Sequence, residues 1–167
     1  MKNLISVFVI IFFNLTSFCF SAEKIVYLDL DYILSNSEKG KLILLNLEKI
    51  NKENLKILKS QEELLIKEEK SLLKQKNIIS PEAYNDKVQK VKKKINLFRS
   101  EKNQLANNFK TEREKKINEF LKLVDKILKE YVKNNSIDIV LNKKDILMGK
   151  NSYNITSDIL KKVNELN

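Results

Sequence analysis

From residue 43 onward the apolar side chains recur at alternating steps of four and three, the period of one face of an α-helix. Along residues 38–77 that face reads Ile43, Leu47, Ile50, Asn54, Ile57, Gln61, Leu64, Glu68 and Leu72. Asn54, Gln61 and Glu68 stand where a dimeric zipper has apolar residues. A second line, Leu44, Leu58, Leu65 and Leu72, runs beside the first and widens the stripe. Residues 81–134 repeat the stepping with Tyr84, Val88, Val91, Ile95, Phe98, Lys102, Leu105, Phe109, Arg113, Ile117, Phe120, Val124, Ile127 and Tyr131. Between the two stretches, Ser80-Pro81-Glu82 is a tight break: Ser suits an N-cap, Pro the first helical position, and Glu the positive helix end. The pattern predicts two helices of roughly 60 and 80 Å folded back on each other, with a tip near residues 77–82. A seam between two rods is a thin core. Such a shape suits a spacer, a stalk or a gripping arm better than a catalytic pocket.

The ends of the chain follow another period. Residues 24–31 alternate, with Val26, Leu28 and Leu30 on one face and Tyr27, Asp29 and Asp31 on the other, which predicts a half-buried strand. Tyr32-Ile33-Leu34 reads as a short apolar turn, and Ser35-Asn36-Ser37-Glu38 supplies cap residues for the first arm. Asn134-Asn135-Ser136 closes the second arm, since Asn tolerates the left-handed conformation. Residues 137–141, with Ile137, Ile139 and Leu141, predict a second strand, and residues 145–148 a weaker third. Thr156 is placed as the cap of a last amphipathic helix carrying Ile159, Leu160, Val163 and Leu166. A lone strand is unstable, so the two ends must meet. The expected architecture is α+β: a small body from residues 22–37 and 135–167, with a long antiparallel helical hairpin, residues 38–134, projecting from it. That body is too small to stand without staples or partners. Self-association through Val26, Leu28, Leu30, Ile137, Ile139 and Leu141 is the remaining route.

Composition sets the compartment. Met1-Lys2-Asn3 precedes an apolar run that reaches Phe20, the pattern of a secretory signal spanning residues 1–21. Cleavage after Ser21 places Cys19 and Ser21 at the small-residue positions, and cleavage after Ala22 is the second choice. An uncleaved anchor, giving a membrane-held stalk, is the rival reading, because the run has about the shortest length that spans a bilayer. Removing the signal removes the one Cys, and the chain has no His, so the commonest metal ligands and the commonest general base are missing. The formal net charge is +10, from 32 Lys and Arg against 22 Asp and Glu, which implies anionic partners. Export disfavours nucleic acid and leaves anionic lipid, lipopolysaccharide or acidic client chains. Lysines concentrate at the tip, with Lys67, Lys70, Lys74 and Lys76 on one arm facing Lys87, Lys90, Lys92, Lys93 and Lys94 on the other. They read either as a solvated, solubilising surface or as a positive rim for acidic clients. Phe98, Phe109 and Phe120, eleven apart, fit the seam between the arms, whereas Leu58, Leu65 and Leu72 are candidates to face a client. Asp29 and Asp31 have no acid–base partner and read as structural or surface. Two glycines cannot build a phosphate cradle, so no cofactor and no catalytic residue is expected.

Several segments together resemble the Skp/OmpH family of periplasmic chaperones: Lys24-Ile25-Val26-Tyr27-Leu28-Asp29 with Ile33-Leu34, Gly40-Lys41, Ile137-Asp138-Ile139-Val140-Leu141, and Ile155-Thr156-Ser157-Asp158-Ile159-Leu160-Lys161. Asn142 departs from the family, which often carries Asp after that strand. The resemblance implies a homotrimer whose strands form a central body and whose three hairpins enclose a cavity. It further implies that unfolded outer-membrane proteins are held there without ATP on their way across the periplasm.

Overall fold

The computed structural model of the chain describes residues 23–166. The signal expected over residues 1–21 lies outside the described residues. Strand β1 (Ile25–Leu28) is followed by helices α1 (Leu30–Asn36), α2 (Glu38–Gln75) and α3 (Pro81–Asn134). Strand β2 (Ile139–Asn142), two short 3₁₀ turns and helix α4 (Thr156–Glu165) complete the fold. Helices α2 and α3, of 38 and 54 residues, are the two arms, so the fold is α+β with a long helical hairpin. Ser80 caps α3 as its sequence predicts, its Oγ accepting from the Ala83 N–H at 3.2 Å, with Pro81 in the first turn.

The hairpin is also the crossover between the strands. β1 and β2 pair in parallel, in register from Ile25 opposite Ile139 to Leu28 opposite Asn142. The Lys24 N–H donates to Asp138 Oδ2 at 2.7 Å, which ties the two strand entrances together. One core spans the platform: Val26, Leu28 and Ile33 pack with Phe120, Val124 and Ile127 of α3 and with Ile137, Ile155, Ile159 and Val163. The last third of α3 is therefore rooted in the body. Phe120, Val124 and Ile127 fill that core rather than a seam between arms alone.

Several local expectations are corrected. The alternation over residues 24–31 does not continue as strand beyond Leu28. Asp29 Oδ1 accepts from the Tyr32 N–H at 2.9 Å and caps α1, so a helix replaces the apolar turn at residues 32–34. Aspartate is a poor strand residue and a strong N-cap. Leu30 thus opens a helix and reaches the core from there, not from the strand face shared by Val26 and Leu28. Ile137 precedes β2 and is buried, its N–H donating to the Val132 carbonyl at 3.1 Å. The left-handed residue after α3 is Ser136, at φ 48°, while Asn135 sits at −109°. Residues 145–148 form no strand: Asp145 ends a 3₁₀ turn, and the segment beyond it has no neighbouring strand among the described residues. Thr156 gives α4 no side-chain cap. Its Oγ1 instead donates to Asn154 Oδ1 at 2.6 Å and accepts from the Asp29 N–H at 2.9 Å.

The arm seam differs from the heptad count on α2. Ile57 and Leu64, expected inside, are exposed, whereas Leu58, Leu65 and Leu72, the candidates to face a client, lie half-buried along the seam. A nearly straight helix turns 3.6 residues per turn, so a strict seven-residue count drifts by about 20° per heptad. An eleven-residue step keeps one face aligned, as from Leu47 to Leu58 or Gln61 to Leu72. On α3 the apolar seam residues are buried or half-buried as expected, and Lys102 and Arg113 point to solvent.

Candidate functional site

The hairpin tip brings the lysine cluster together. Lys67, Lys70, Lys74, Lys76, Lys87, Lys90, Lys92, Lys93 and Lys94 are all exposed at the end of α2 and the start of α3. Lys94 Nζ pairs with Glu68 at 2.6 Å, and Lys87 Nζ donates to Gln75 Oε1 at 2.5 Å. The other seven lysines make no ion pair among the described residues. Exposed pairs of this kind contribute under about 1 kcal/mol, so the tip is held by its helices and not by its charges. Those charges are therefore available to a partner, and salt screens them beyond about 10 Å at 0.1 M.

The platform offers a second surface. In-register parallel pairing sets Val26, Leu28 and Val140 toward the core and Ile25, Tyr27, Ile139 and Leu141 on the opposite face. Tyr27 is covered by the chain around Gly149, whose nearest approach to the ring from a Cβ position would be 3.1 Å. Ile25, Ile139 and Leu141 remain 41% exposed. Beside them, Leu147 and Met148 are 102% and 89% exposed. Ile25, Tyr27, Leu141, Ile146, Met148 and Tyr153 line a groove of about 380 Å³ on this side. Among the described residues, no group of three or more His, Cys, Asp or Glu is placed to hold a metal.

Charged ties hold this platform in shape. Asp29 pairs with Lys143 at 3.1 Å while capping α1 and bonding Thr156, so one residue links β1, α1, α4 and the turn after β2. Asp31 pairs with Lys144 at 2.6 Å. Tyr131 donates to Asp158 Oδ2 at 2.6 Å, and that bond, aided by burial, pushes the phenol up to about 12. From sequence Asp29 and Asp31 are expected to be structural or surface, and Asp29 is structural: an Asp directly ahead of an apolar run is the N-cap signal that identifies it. The Tyr32 N–H, opposed by burial and then helped by Lys143, holds the Asp29 carboxyl below the usual carboxylate range. A depressed carboxyl stabilises the fold above its unfolded pKa of about 3.9 and loses that contribution as pH falls through the folded value. Asp29→Asn, which keeps a capping oxygen but removes the charge, is expected to melt below the wild type at pH 7. Melting curves taken down to pH 3 should show the gap closing. A gap that stays constant would mean that the charge contributes nothing.

A small strand-bearing body with one long helical hairpin springing from it defines a class of elongated, open proteins. Over residues 24–163 the sequence matches the family described as Outer membrane protein (OmpH-like), and the chain belongs to that family. Six solved chains match its fold. One is a candidate outer membrane chaperone (OmpH-like) from Caulobacter crescentus CB15, with a TM-score of 0.77 at 13% identity, covering 88% of this chain and 87% of that one. At that identity the likeness is one of fold. No curated protein matches the sequence significantly.

Proposed function

We propose that this chain is an ATP-independent holdase of the periplasm, exported by a cleaved signal, which works as a homotrimer and shelters unfolded outer-membrane proteins among its arms. Family membership and the chaperone description of its structural neighbour support the general role. The observation that carries the assembly is the two-faced platform. A two-stranded sheet is marginal in water, and parallel sheets occur with both faces covered. Here one face is covered by helices while Ile25, Ile139 and Leu141, with Leu147 and Met148 beside them, are only partly covered or left exposed among the described residues. Neighbouring copies supply that cover in the proposed trimer. The lysine tips then surround the mouth of a shared space, where they attract acidic clients and touch anionic lipid or lipopolysaccharide in passing.

Mature protein, mixed with a urea-unfolded outer-membrane barrel and diluted without nucleotide, is expected to suppress light scattering at a molar excess of trimer. Capture should slow as salt rises, because the attraction is between exposed charges. Full aggregation under those conditions would reject the holdase reading. A sharp monomer mass in dilute solution would reject the trimer.

A further inference from the structure

The two flanks of the hairpin are not alike. Three polar contacts join the arms: Gln61 to Glu101 at 2.9 Å, Glu68 to Lys94 at 2.6 Å, and Gln75 to Lys87 at 2.5 Å. Gln61, Glu68 and Gln75 are seven apart, so all three contacts lie on one flank of the seam. The exposed Ile57 and Leu64 share that flank. On the other flank of α2 runs a line that no inter-arm polar contact crosses: Leu44, Leu55, Ile66 and Leu73, spaced eleven, eleven and seven. At 100° per residue they fall within about 40° of one another. All four are exposed. The line is about 43 Å long at about 1.5 Å per residue.

We propose that this line is a docking track on which each hairpin holds one extended segment of unfolded polypeptide carrying both apolar and charged side chains. The inference rests on the holdase reading and assigns the contact to a single arm, so that it does not need a closed cavity. The spacing selects the occupant. A second helix needs an apolar neighbour every three or four residues, and it would bury Glu62 and Glu69, which interrupt the line without ion partners. A lipid surface needs a continuous apolar face, which the same two carboxylates interrupt. An extended chain instead meets an aliphatic side chain about every 10–16 Å, or three to five of its own residues, and leaves the carboxylates in water. About 13 extended residues cover the track. On α3 beside it, Lys92 and Arg99 make no ion pair and are free to meet acidic side chains of the occupant. Isolated shallow contacts of this kind hold many sequences loosely.

The test compares the assembled Leu55→Ser/Ile66→Ser variant with Ile57→Ser/Leu64→Ser on the opposite flank. All four positions are exposed, so both variants should match the wild type in helical circular dichroism and in mass. The readout is the Kd for a dye-labelled outer-membrane barrel diluted from urea. The track variant is expected to bind about tenfold more weakly or worse, and the opposite-flank variant within about twofold of wild type. Equal effects from both pairs, or none from either, overturn the track while leaving the holdase reading intact. Wild type that binds no barrel overturns both. Loss of binding to anionic vesicles, or a lower assembly mass, in the track variant alone would assign the line to lipid or to a second copy and overturn it as well.

Discussion

Gly40→Ala is expected to lower the thermal midpoint by about 10 °C, although alanine is the better helix former. By propensity the change should gain about 1 kcal/mol in the first turn of α2. The packing at that turn outweighs it. A Cβ on residue 40 would lie 1.9 Å from the Leu34 carbonyl oxygen and 2.7 Å from Ser37 Oγ. Neither can retreat. Leu34 sits in the last turn of α1 beside the fully buried Ile33, and Ser37, itself fully buried, ends α1 and caps α2. Its N–H donates to the Ile33 carbonyl at 2.9 Å while its Oγ accepts from the Gly40 N–H at 3.1 Å. Two helices meet with a single residue between them, and only a residue without a side chain lets the backbones touch. Displacing buried backbone costs about 3 kcal/mol or more, which at this chain length is about 10 °C. Circular dichroism melts at fixed protein concentration decide the matter. An unchanged or higher midpoint would show that α1 yields and that propensity wins.

Phe120→Ala should cost about 3–5 kcal/mol in urea unfolding, and Phe98→Ala or Phe109→Ala about 1–2 kcal/mol. In sequence the three are interchangeable, eleven residues apart on one helix face. In the fold Phe120 is 1% exposed among Val26, Leu28, Ile33 and Ile159, whereas Phe98 and Phe109 are half-buried between the arms. The first deletion leaves a cavity in the core; the other two trim a surface already wet. Three equal losses would mean that α3 is not anchored in the body as described.

Periodicity made the arms readable almost to the residue, because two long amphipathic helices repeat their signal many times over. The short elements were harder, since each is decided by a single residue. Alternation through Asp31 hid the cap at Asp29, and Thr156, the first residue of α4, looks like a cap although its hydroxyl is committed to Asn154 and Asp29. Residues 145–148 carry strand chemistry, but Asp145 ends a 3₁₀ turn and the rest pairs with no strand among the described residues, so composition alone misleads there. At the tip the lysines were legible as charge. The exposed face of α2 was not, because a seven-residue count and an eleven-residue count diverge by one position near Ile57 and Leu58. The tie between Asp29 and Lys143 joins residues too distant in sequence for any local pattern to reveal.

The parallel pairing of β1 with β2 also dictates an order of events. Its two entrances, Lys24 and Asp138, are 114 residues apart, and closing a flexible loop of that length costs about 4 kcal/mol in chain entropy. A hairpin that nucleates at Ser80 and zips toward its base delivers both strands side by side, and most of that entropic barrier is removed before the sheet forms. In a chain exported as proposed, N-terminus first, β1 stays unpaired until residues 139–142 have emerged. The limbs come first, and the platform closes last.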